Sequence, residues 1–196
     1  KYFDKKVGSL GDVGCFSFYP TKNMTVGGDG GMITTNNEEI QNEIISLRDN
    51  GRKSRTAHDK LGFTMRLNTA NAAIGRIQLG HLDEKNGRRQ KIAELYKKYL
   101  SEDYFLTENP NGSSVFHQII FRHKKRNDIM EYLSKNGIGA TIHYPIPIHK
   151  QPLYSYLNLT LSISEEFSNQ VISLPSYPQL SDDDVKFVCE TINQIL

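Results

Sequence analysis

Among the residues of this chain, Lys22 has the surroundings best suited to covalent chemistry. It follows Phe16-Ser17-Phe18-Tyr19-Pro20-Thr21, an apolar and aromatic run that stops at a proline. A lysine amine forms a Schiff base only when neutral, which requires a largely desolvated position beside apolar or positive neighbours. A short buried strand over residues 13–19, ending in a proline turn, is predicted to supply that position. Ser17 lies five residues earlier, at the polar-facing parity of the strand. Its hydroxyl can donate to a phosphate while Lys22 reaches the aldehyde of the same cofactor. The run Gly27-Gly28-Asp29-Gly30-Gly31 lets backbone pass close to a ligand without a Cβ in the way. Taken by themselves, these residues also describe a solvated lysine beside a glycine hairpin.

Other reactive side chains are less suggestive. His143 and His149 stand six apart with Pro145 and Pro147 between them, so they cannot share a helical face as a zinc pair does. They read as a loop with incidental histidines. His117 reads as a structural strand residue, and His58 and Asp59 as solvated loop residues. The glycine run fits neither G-x-x-x-x-G-K-[ST] nor G-x-G-x-x-G, which excludes a P-loop or a dinucleotide fingerprint. No G-x-S-x-G elbow and no H-E-x-x-H occurs. Lys and Arg number 24 against 22 Asp and Glu, for a formal charge of +2, and they are scattered, so nucleic acid is not an expected partner. Cys15 and Cys189 form no C-x-x-C pair, which argues against a zinc knuckle or a disulfide framework and for a reducing, cytoplasmic setting. No run approaches the roughly 18 apolar residues of a membrane span, and the start KYFDKK lacks the apolar core of a signal peptide.

The elements that must position these groups follow from periodicity and punctuation. Met32-Ile33-Thr34-Thr35 predicts a second short strand, and Asn36-Asn37-Glu38-Glu39 a helix start. Ile40, Ile44 and Leu47 repeat at helical spacing up to a stop at Gly51. Residues 68–100 are helix-prone, with Gly80 and Gly87 predicting a kink or two abutting helices. The turn cluster 109–114 separates two textures. After it come a strand over 115–122, a helix over 127–136 closed by Gly137, and a strand over 138–144 running into Pro145. A helix near 164–170, a strand over 171–174 and a final helix from Asp182, capped by Ser181, complete the pattern. This is α/β texture, a small sheet flanked by helices.

The segment 8–23 (GSLGDVGCFSFYPTKN), followed by Gly28-Asp29-Gly30-Gly31-Met32, resembles the cofactor-lysine segment of the DegT/DnrJ/EryC1/StrS sugar aminotransferases. Gly62-Phe63-Thr64-Met65-Arg66-Leu67, with Ala72-Ala73-Ile74-Gly75 and Gln78-Leu79, resembles a second block of that family. Residues 142–151 (IHYPIPIHKQ) resemble its H-Y-P-x-P-x-H loop, and Ser173-Leu174-Pro175 its late turn. The blocks occur in family order and span nearly the whole chain.

The resemblance implies the C-terminal portion of a fold type I pyridoxal-phosphate-dependent transferase. Residues 1–67 would end the large domain, 68–108 form a connecting helical segment, and 109–196 a small α/β domain. It implies a homodimer with shared active sites, a nucleotide-sugar substrate and an amino donor such as glutamate. It assigns Lys22 the bond to pyridoxal 5'-phosphate and the proton transfers, and Ser17 a contact to the phosphate. Thr64 stands where the family usually has an asparagine on that phosphate. Arg66 matches a residue that reaches into the neighbouring subunit's site, where it suits a diphosphate, and His143 is the better substrate contact of the two loop histidines. The family's upstream half carries the aspartate for the pyridine nitrogen, the stacking aromatic and the phosphate-binding helix start. None of these precedes Lys22 here, so the chain by itself is expected to be inactive. Two alternatives stand beside this reading. A dehydratase of the same family is expected to have histidine at the position of Lys22, and a non-catalytic homologue would keep the fold and dimerise.

Overall fold

Short β-branched runs set off by glycine and proline give short strands, and capped amphipathic runs give helices, throughout the 196 residues that this computed structural model describes. The chain divides into two compact units. The first comprises residues 1–85 with 109–114, the second 86–108 with 115–196.

In the first unit, β1 (Gly14–Ser17) pairs antiparallel with β2 (Gly31–Thr34), placing Ser17 opposite Gly31. Helix α1 (Glu38–Arg48) follows, with the Asn37 side chain accepting the N–H groups of Glu39 and Ile40. Helix α2 (Thr69–Gly80) is capped in the same way by Asn68. Helix α3 (Leu82–Tyr99) starts after a break at His81 and belongs to the second unit from Asn86 on, so the glycine-weakened stretch becomes two helices, interrupted just after Gly80 and not at Gly87. No helix is long and apolar enough to cross a membrane.

The second unit holds the continuous core. Strand β3 (Ile119–Arg122) alternates buried and half-buried residues. After helix α4 (Arg126–Lys135) and helix α5 (Ser162–Gln170), strand β4 (Val171–Leu174) pairs antiparallel with β3 and is buried throughout. Helix α6 (Asp182–Asn193) starts in a capping box between Ser181 and Asp184. Ile92 and Tyr96 of α3, Ile129 and Leu133 of α4, and Val185, Val188 and Ile192 of α6 gather with Phe121 and Ile172 in one cluster. Each such burial stabilises by roughly 1.5–3 kcal/mol. Arg88 and Lys91 of α3 both pair with Asp182 at the start of α6.

Two predicted strands differ from what forms. The strand expected over 115–122 exists only as β3, because Phe116 takes a φ of +42° that breaks extended backbone. The strand expected over 138–144 reduces to a single bridge, Thr141 to Ser173. Gly137 at φ +74° turns the chain just before it, and Pro145 has no N–H with which to extend the ladder.

Candidate active site

Ser17 closes β1, and its Oγ accepts the N–H of Tyr19 at 3.3 Å. The N–H of Lys22 donates to the carbonyl of Tyr19 at 2.9 Å, so residues 17–22 form one turn bearing a hydroxyl and a primary amine. A hydroxyl that accepts from the backbone still has its own hydrogen to donate. The turn is anchored on both sides. Phe18 is buried and its N–H donates to Gly30 at 2.8 Å, and Val26 is 1% exposed. A Cβ on Gly30 would stand 2.8 Å from Cγ2 of Val26, and one on Gly75 would stand 3.0 Å from Cγ1. These two glycines leave the slot that Val26 fills, so Gly30 serves packing as well as any ligand.

The strand that leads to Lys22 departs from the expectation of burial. Three of the four residues of β1 are exposed, Phe16 and Tyr19 are among the exposed large side chains, and Lys22 is half-buried. Two paired strands cannot cover both of their own faces.

Thr64 and Arg66 gather at the C-terminal end of α1. The carbonyls of Leu47 and Arg48, left without helical partners, accept the N–H groups of Phe63 and Met65 at 2.7 and 2.9 Å. Gly62 permits this approach, since a Cβ there would lie 1.9 Å from the nitrogen of Gly51. The Thr64 hydroxyl donates to Oδ1 of Asn50 at 2.7 Å. Arg66 lies 3.2 Å from Oδ1 of Asp49, while Arg52 lies 3.5 Å from Oδ2. That Oδ1 is buried without an aligned hydrogen bond, so the Arg66 contact is an ion pair by distance alone.

His143 belongs to the second unit. Its Nδ1 lies 2.8 Å from Oγ of Ser173, in the buried strand β4, and 3.4 Å from Oγ1 of Thr141. His149 is buried, with Nε2 2.9 Å from Oε1 of Glu165. Thus Ser17 and Lys22 share a turn and Thr64 and Arg66 share a helix end, while His143 is held by β4. Sequence reasoning missed Asp49, Asn50 and Glu165. Their partners Arg66, Thr64 and His149 lie 14 to 17 residues away, beyond any local pattern.

Residues 1–193 match the DegT/DnrJ/EryC1/StrS aminotransferase family. The chain belongs to that family. It is 39% identical over 196 residues to the dTDP-3-amino-3,6-dideoxy-alpha-D-galactopyranose transaminase of Aneurinibacillus thermoaerophilus, covering 98% of this chain and 54% of that protein. It is 36% identical over 200 residues to the pleiotropic regulatory protein of Geobacillus stearothermophilus, covering 98% of this chain and 54% of that one. The crystal structure of S. venezuelae DesV in complex with a ketimine intermediate superposes with a TM-score of 0.94 at 32% identity, covering all of this chain and 54% of DesV. The chain therefore spans about half the length of the curated relatives it matches.

Membership in this aminotransferase family implies pyridoxal phosphate, and the 17–22 turn carries the two group types it needs, an amine and a hydroxyl with a hydrogen to donate. The desolvation that a condensing amine requires is only half met by this chain, in which Lys22 is half-buried. No group of three or more His, Cys, Asp or Glu gathers that could hold a metal ion.

Proposed function

We propose that this chain supplies the C-terminal half of a pyridoxal-phosphate-dependent aminotransferase. The enzyme moves an amino group from glutamate or a similar donor to a nucleotide-linked keto-sugar, as a homodimer with shared active sites. The observation that carries the reading is the anchored turn that presents Ser17 and Lys22 together in a member of this family. Pyridoxal phosphate, when bound, supplies an aldehyde for amines and a ring that takes up the charge left when a substrate carbon loses its proton.

The chain's own residues do the rest. The Lys22 amine holds the cofactor and, once released, carries the proton between substrate and cofactor carbons. Ser17 and Thr64 donate hydroxyl hydrogens toward the phosphate. For Thr64 this means giving up its bond to Asn50. The planar guanidinium of Arg66 suits the diphosphate of the nucleotide, and leaving Asp49 is the cost of reaching it. His143, oriented by Ser173, contacts the sugar.

A regulatory homologue that keeps the fold is a second reading, favoured by the name of the Geobacillus relative. Absorbance separates the two. The complete protein mixed with pyridoxal phosphate is expected to show an imine band near the visible edge. Lys22→Ala should lose that band and about 10²–10⁴-fold or more of the transamination rate. A band that survives Lys22→Ala, or no band at all, would overturn the assignment.

A further inference from the structure

Residues 143–149 are fixed at both ends to one continuous piece of structure. At the first end, Nδ1 of His143 meets Ser173 in β4, and Thr141 exchanges backbone hydrogen bonds with the same serine at 2.8 and 3.3 Å. At the other, His149 meets Glu165 in α5, and α5 runs directly into β4 at Val171. Glu165 has a specific reason to be there. Leu161 precedes α5 and offers no capping side chain. Oε1 of Glu165 therefore reaches back to the Leu161 N–H at 2.9 Å, and the N–H of Glu165 donates to the Leu161 carbonyl at 3.0 Å. The same oxygen takes Nε2 of His149 at 2.9 Å and lies 3.3 Å from Nζ of Lys150, whose amine also donates to the Leu159 carbonyl at 3.2 Å. An ionised carboxylate only accepts, so the His149 ring carries its hydrogen on Nε2.

Between the pins the loop is stiff and apolar. Pro145 and Pro147 each fix a backbone torsion. Tyr144 is 71% exposed and Ile148 76%, with Ile146 exposed between them. Apolar side chains grouped in water on one stiff loop offer a contact surface.

We infer that Glu165 is a positioning residue for the sugar half of the reaction, fixing through His149 the loop whose exposed Tyr144, Ile146 and Ile148 read the substrate. This rests on the function proposed above and adds to it a residue remote from the reacting atoms. Glu165→Gln keeps the size of the side chain and removes the charge that holds three donors. In the complete holoenzyme the variant is expected to raise KM for the nucleotide keto-sugar by about tenfold, an effect of about 1.4 kcal/mol. The half-reaction with the amino donor should stay within about twofold of the unmodified rate. Hydrogen exchange, read on the same samples, should quicken far more at residues 143–149 than in β3 and β4.

Unchanged exchange in the loop would overturn the positioning role whatever the kinetics. A loosened loop with unchanged KM for the sugar would overturn its part in substrate reading. Parallel loss of both half-reactions would mark Glu165 as merely structural and overturn the inference as well. Failure of the functional reading shows differently. An enzyme with Glu165 intact that aminates no keto-sugar would remove that reading and this inference together.

Discussion

Three donors share one oxygen of Glu165, and their combined effect is directional. The hydrogen bond from His149, then that from the Leu161 N–H, then the ammonium of Lys150 hold the carboxyl down from an ordinary 4.5 to about 2. A carboxyl depressed on folding binds its proton more tightly in the unfolded chain. Its contribution to stability is therefore fully present above 4.5, erodes below it, and is lost as the pH falls through about 2. Urea midpoints of the protein and of Glu165→Gln, followed from pH 6 downward, are expected to differ at the start and to converge across that window. Curves that stay parallel would mean that the three donors do not depress this carboxyl.

Between elements, the legible parts of the sequence were those with local causes. Asn37 and Ser181 announce two helix starts, and each side chain caps as its type predicts. The run 171–174 is β-rich before a proline and forms β4 with the predicted bounds. The turn bearing Lys22 was legible for the same reason, its proline and glycines being contiguous with it. What could not be read depends on partners far along the chain. Arg89 of α3 is buried, and its Nη1 donates to the Ser176 carbonyl at 2.7 Å and toward those of His117 and Phe116 at 3.4 and 3.5 Å. The carbonyls of Phe116 and His117 face the guanidinium next to the positive φ of Phe116 that ends the strand. Burial lowers the pKa of Arg89, and its Nε has no partner. Arg89→Leu would leave the Ser176 carbonyl without its donor, so a loss of about 1–3 kcal/mol is expected, measured as a lower urea midpoint with unchanged slope. A neutral or stabilising result would show that desolvating the guanidinium outweighs its hydrogen bonds.

Across the whole molecule, buried surface is shared unequally. Every residue of the continuous core, from Ile92 to Ile192, lies in the second unit. In the first, the buried hydrophobic side chains are those of Phe18 and Val26, while Phe3, Val7, Phe16, Met32, Leu61 and Met65 stand in water. Buried apolar area is the main term that offsets the entropy of ordering a chain, so the second unit has its own source of stability and the first has little. On the function proposed above, a covering surface for the first unit would come from the further half of chain that the relatives carry. Hydrogen exchange on the 196-residue chain is therefore expected to show β3 and β4 well protected and β1 and β2 exchanging orders of magnitude faster. In the longer protein the protection of β1 and β2 should rise toward that of the core strands, with β3 and β4 little altered. Equal protection of both sheets in the 196-residue chain would mean that the turn bearing Lys22 is stabilised by something other than buried area. The exposed face of β1 would then no longer imply a covering partner.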